Sequence, residues 1–149
     1  MAKRFEFGLE KLLQIRVEKE DENKRLFTES QREREIVKEK LKSLKESYSK
    51  YNGIGSGDSA AYQKIKKNYL FALNKGIDST EKEVALKERE VNFRRENLKK
   101  SQIERKTVDI LKEKQKIAYI REQDRIEQIS NDEFALYAYM RNHRKEVKS

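Results

Sequence analysis

The chain has no cysteine, no proline and no tryptophan, and its 149 residues include one histidine and five glycines. Without cysteine there is no disulfide, thiolate zinc site, iron–sulfur cluster or cysteine nucleophile. A lone His143 supports neither a histidine-rich metal site nor a histidine-based triad, and it reads as a surface residue near a helix end. No cofactor is expected. Long apolar runs are missing as well: none approaches the roughly 20 residues that span a bilayer. The opening Met1-Ala2-Lys3-Arg4-Phe5-Glu6-Phe7 lacks the apolar stretch of a secretory signal, so the expectation is a cytosolic, soluble chain with no transmembrane segment. Carboxylates and lysines abound, but acid–base catalysis needs pKa values shifted by burial. With 35% hydrophobic residues there is little core to bury them in, and no enzyme is expected.

What remains is charge: 36 Lys and Arg against 27 Asp and Glu, a net charge of +9, with 42% of residues charged. That balance, with no helix-breaking proline, belongs to long helices and coiled coils. Disorder is the competing class at this charge, and hydrophobic periodicity decides between them. The turn-forming residues gather in Asn52-Gly53-Ile54-Gly55-Ser56-Gly57-Asp58-Ser59, which holds three of the five glycines. Asn52-Gly53 can end a helix in the left-handed conformation, and Asp58 or Ser59 can cap the next one. The sequence therefore predicts helix one from about Phe5 to Tyr51, a turn over about 52–58, and helix two from about Ser59 to Asn142, within one coiled-coil domain over 1–149.

Leu70, Leu73, Ile77, Thr80, Val84, Val91 and Leu98 keep an alternating spacing of three and four across Gly76, so helix two is expected to run through that glycine unbroken. Leu9, Leu13, Phe27, Val37, Leu41, Leu44, Tyr48 and Tyr51 form the seam of helix one, with the polar Arg16, Glu20, Asn23, Ser30 and Arg34 on the same line. Polar seam residues cost stability and fix register. Pairs such as Glu20/Lys24, Glu46/Lys50 and Glu83/Lys87 account for much of the charge as solvated helix faces. The fold class is then all-α: a long antiparallel two-helix coiled-coil hairpin. With a short loop, facing residue numbers should add to about 110, placing Leu9 near Ser101 and Leu44 near Lys66 or Lys67. Helix one would run out opposite Arg105, leaving a C-terminal overhang whose apolar residues Val108, Leu111, Tyr119, Ile126, Ile129, Leu136 and Met140 need another partner.

Lys and Arg read as interleaved with Glu along both arms, which argues against nucleic acid as a partner. The opening Phe5-Glu6-Phe7-Gly8-Leu9-Glu10-Lys11-Leu12-Leu13-Gln14-Ile15-Arg16 resembles the Phe-x-Leu-Glu-Lys-Leu-Leu-x-x-Arg element at the start of the flagellar export protein FliJ family. The segment Glu104 to Lys114, followed by the polar Asn131-Asp132-Glu133, is similar to that family's second helix. The resemblance implies a non-enzymatic part of the flagellar type III export apparatus, at the cytoplasmic face of the membrane. It would be a stalk-like coiled coil that enters the hexameric export ATPase and links it to the export-gate membrane protein and to export chaperones. By that analogy Phe5, Leu9, Leu13 and Arg16, with Ile126, Ile129, Leu136 and Met140, would meet the ATPase. Leu41, Leu44, Tyr48, Tyr69 and Leu73, toward the turn, would meet the gate. A homo-oligomeric coiled-coil scaffold is the alternative, a basic nucleic-acid-binding coiled coil comes third, and self-association is left open.

Overall fold

A computed structural model of the chain describes residues 3–53 and 57–148, and shows two helices and no strand among them. Helix α1 spans Glu10–Tyr51 and α2 spans Ala60–Lys148. The residues Ile54, Gly55 and Ser56 of the expected turn lie outside the described residues.

The helix ends follow local chemistry. Gly53 sits at φ +111°, where a side chain would be strained, two residues after α1 ends at Tyr51. Ser59, rather than Asp58, is the cap of α2. Its hydroxyl accepts the Tyr62 amide at 3.2 Å while its carbonyl takes the first helical bond, from Gln63, at 2.9 Å. Helix α1 begins at Glu10 instead of Phe5. Gly8 and Leu9 make a turn, closed by the Glu10 amide donating to the Phe7 carbonyl at 3.2 Å, and the conformational cost of glycine in a helix disfavours extending α1 through Gly8. At the other end α2 continues past Asn142 to Lys148, since neither glycine nor proline follows Gly76 to stop it.

The molecule comprises two compact units, one of residues Glu18–Ile103 and one combining residues up to Val17 with those from Glu104 on. The first unit is a helical hairpin with antiparallel pairing throughout. Tyr51 meets Tyr69 edge to face at 5.5 Å, Glu33 meets Lys87 at 3.0 Å, and Asn23 donates to the Ser101 hydroxyl. The expected seams hold: Val37, Leu73 and Val91 are buried, and so are the polar Glu20, Ser30, Thr80 and Ser101. Thr80 satisfies its hydroxyl by donating to the Gly76 carbonyl at 2.7 Å, and α2 passes through Gly76 without interruption. In the second unit Phe7, Leu13 and Val108 form a small core with Phe5 and Leu12 packed against it. Lys112 pairs with Glu10 at 2.8 Å, and Arg16 with Glu104 at 2.6 Å.

The register departs from the expected one. Facing numbers add to 120 for Tyr51/Tyr69 and Glu33/Lys87, and to 124 for Asn23/Ser101, in the hairpin unit. They add to 122 for Glu10/Lys112 and 124 for Phe5/Tyr119 in the other. An expected sum near 110 assumed that α2 starts level with the end of α1. Instead the linker of residues 52–59 lets α2 begin beyond it, and Ala60–Asn68 precede the first facing pair, Tyr51/Tyr69. Leu44 consequently faces Gly76, not Lys66 or Lys67, and Ser101 faces Asn23, not Leu9.

Candidate functional site

The offset moves the point at which α2 loses its partner. Val108, expected to be uncovered, is buried against Phe7 and Leu13, and Tyr119 packs on Phe5 with ring centroids 5.6 Å apart. The overhang thus begins after Tyr119 rather than at about Lys106. From residue 120 to 147 only Gln123 and Ser130 are less than exposed.

Along that stretch the seam does not stop. Counting alternately by three and four from Leu70 leads through Thr80, Val91, Ser101 and Val108, all at seam positions, to Tyr119 and then to Ile126, Ile129, Leu136, Met140 and His143. Upstream, Thr80, Val91, Ser101 and Val108 on this line are buried, whereas Ile126, Ile129, Leu136 and Met140 are each about half exposed. His143 stacks on Tyr139, centroids 6.1 Å apart, as a surface pair on one helix.

The candidate ATPase-facing residues therefore divide. Leu13 is a core residue, 7% exposed, and Phe5 is packed on that core. Arg16 is engaged with Glu104, and Leu9 is exposed at the turn before α1. Phe5 meets Tyr119, about two helical turns before Ile126, so these two halves of the set do not face each other. Phe7, not among the candidates, anchors the local core; its position two residues after Phe5 in the Phe-x-Phe opening was the available signal.

Near the turn, Leu73 is buried, Leu41, Leu44 and Tyr48 are half-buried, and Tyr69 is 45% exposed. Leu41, Leu44, Tyr48 and Leu73 lie on the seams, so much of their surface goes to helix pairing. Tyr51 belongs with them, because its ring is the one that Tyr69 meets.

The shifted titrating groups are surface ion pairs. Arg25 holds Glu22 below the ordinary carboxylate range by a hydrogen bond, and Arg125 does the same to Glu122. Lys38 lowers Glu88, and Glu33 raises Lys87. None of them sits in an enclosed site of the kind acid–base chemistry needs. Among the described residues no group of three or more His, Cys, Asp or Glu is placed to hold a metal ion. Among the described residues no helix is long and apolar enough to cross a membrane.

Nothing among curated proteins matches the chain. The sequence pattern of the Flagellar FliJ protein family, however, matches residues 5–144. The chain belongs to the FliJ family. As a FliJ family member it is a component of the flagellar export apparatus, in a family that is non-catalytic, and its partners belong to that machinery. The match covers the turn at Gly8 and Leu9, all of α1, and α2 as far as residue 144, including the uncovered seam through Met140.

Proposed function

We propose that the chain is the stalk of the export machinery, a single coiled-coil domain that seats α2 in the pore of the hexameric export ATPase. From the cytoplasmic face of the membrane it would connect that ring to the export-gate membrane protein and to export chaperones. The observation that carries this reading is the unbroken seam. A helix exposed on all sides has no use for Ile126, Ile129, Leu136 and Met140 on one line, and these residues continue the line that α1 and the segment before it, through Phe5, cover as far as Tyr119. A ring of loops around α2 would cover them as α1 does upstream. The gate would then meet the hairpin unit near Tyr48, Tyr51 and Tyr69.

Deleting residues from Asp124 onward tests the ring assignment. The shortened chain is expected to keep the melting behaviour of the paired helices, because the removed part makes little packing contact, and to lose stimulation of the ATPase. Stimulation equal to that of the full chain would place the working contact in the paired region instead.

A second reading has the same observation behind it: the exposed seam would also suit a second copy of this chain. Light scattering separates the two. A monomer at micromolar concentration leaves the seam for the ring, and a dimer abolished by Ile126→Asp and Leu136→Asp assigns it to self-association.

A further inference from the structure

From Ser59 to Ile77 the sequence has Lys64, Lys66, Lys67 and Lys75 and no acidic residue. The interleaving of bases with Glu that holds elsewhere fails in this stretch. Residues 40–77 hold eight lysines against Glu46 and Asp58 alone, so six of the chain's nine net positive charges gather at the turn end of the hairpin unit.

The register gives this charge a surface. Because Tyr51 faces Tyr69, Ala60–Asn68 extend past the last residue of α1. Tyr62, Ile65 and Tyr69 fall on one flank of this helix by helical spacing, and Lys64, Lys67, Phe71 and Lys75 on the other. Ile65 is 66% exposed and Phe71 64%, the latter with Lys75 Nζ 4.8 Å from its ring centre. Asp58 lies 3.9 Å from Lys66, so Lys64 and Lys67 carry the charge of the open flank.

We propose that this end of the hairpin docks directly on an anionic phospholipid surface. Lysines with long apolar stems reach headgroup phosphates while the exposed Phe71 between Lys67 and Lys75 enters the interfacial layer. Acid-free basic stretches are attracted to anionic leaflets, and an opposing carboxylate would cancel that attraction. A nucleic-acid backbone would use the lysines but would leave the exposed Phe71 among them uncovered, which is why the lipid surface is the better match. The inference does not depend on which protein meets the hairpin.

The test uses the full chain with sedimented vesicles of phosphatidylcholine, with and without about one third phosphatidylglycerol, at low and high salt. Binding should require the anionic lipid and weaken as salt rises. Replacing Lys64, Lys67 and Lys75 by Gln should weaken it about fivefold per lysine. The same number of changes at the exposed Lys82, Lys99 and Lys100 should leave it within twofold. The chain lacks tryptophan, so Phe71→Trp supplies a single indole, excited apart from the tyrosines, whose fluorescence should shift to the blue on anionic vesicles. Equal binding to neutral vesicles, equal loss in both lysine triples, an unshifted emission, or tighter binding to a duplex DNA than to the vesicles would each overturn the proposal. Vesicles contain no ATPase and no gate, so failure here is distinguishable from failure of the stalk reading.

Discussion

Asn23 on α1 donates its side-chain amide to the hydroxyl of Ser101 on α2, and that hydroxyl in turn donates to the Asn97 carbonyl at 2.9 Å. Ser101 is buried, so this polar layer is satisfied only in one alignment of the helices. Asn23→Ala should cost about 1 kcal/mol, read as a lowered melting temperature. Replacing the pair by Leu and Ala should recover stability but admit shifted pairings, seen as added species in size-exclusion chromatography with light scattering. A double variant that remains a single species would show that the surrounding apolar seam sets the register alone.

A Cβ built on Gly76 would lie 3.8 Å from Leu44 Cδ1, an ordinary packing distance, and the glycine backbone there is not left-handed. Gly76→Ala should therefore stabilise the protein by up to about 1 kcal/mol through helix propensity. Gly76→Leu should destabilise it by crowding Leu44. Thermal melts of the two variants check both signs.

Glu88 accepts from Lys38 at 2.9 Å with Arg34 at 3.4 Å, and its carboxyl is held below the ordinary range chiefly by the Lys38 hydrogen bond. A carboxylate whose pKa is lower in the folded state contributes stability at pH values above the unfolded-state pKa. That contribution fades as pH falls through the lowered value. The wild type should melt above Glu88→Gln at neutral pH, with the gap closing in acid below the carboxylate range. A gap independent of pH would assign the difference to packing.

Tyr69 is nearly half exposed while Tyr48 is half-buried on the seam. Tyr69→Ala should weaken binding to the export-gate protein about tenfold or more with little change in helix content, as expected of an aromatic anchor at an interface. Tyr48→Ala should lower the melting temperature more than Tyr69→Ala does. The reverse ranking in both measurements would exchange the roles of the two rings.

Periodicity made the helices and their inner faces readable, because a seam of threes and fours persists whatever side chains occupy it. Glu20, Ser30 and Thr80 are buried at positions the phase marked, despite their polarity. The pairing offset was not readable in the same way. It depends on how residues 52–59 connect the helices, and composition does not state how far α2 projects before Tyr69 meets Tyr51. That one displacement misplaced Leu44, Leu9 and the start of the overhang together. The start of α1 was missed because the apolar spacing continues through Phe5 and Leu9, although Gly8 turns the backbone and sends Phe7 to Val108. Leu13 reads as a surface candidate by resemblance, yet its place on the seam gives it to the core.

The facing pairs also differ in how far apart they lie along the chain. Tyr51 and Tyr69 are 18 positions apart, Asn23 and Ser101 are 78, and Phe5 and Tyr119 are 114. Joining the distant pairs first would close a long loop, with an entropic cost that grows with its length. Starting at the tyrosines closes a short one, after which each further pair brings together residues already held near one another. Pairing along the chain is therefore expected to propagate as a zipper from the tyrosine end of the hairpin unit, with Phe5 and Tyr119 of the other unit among the last contacts to form and the first to open.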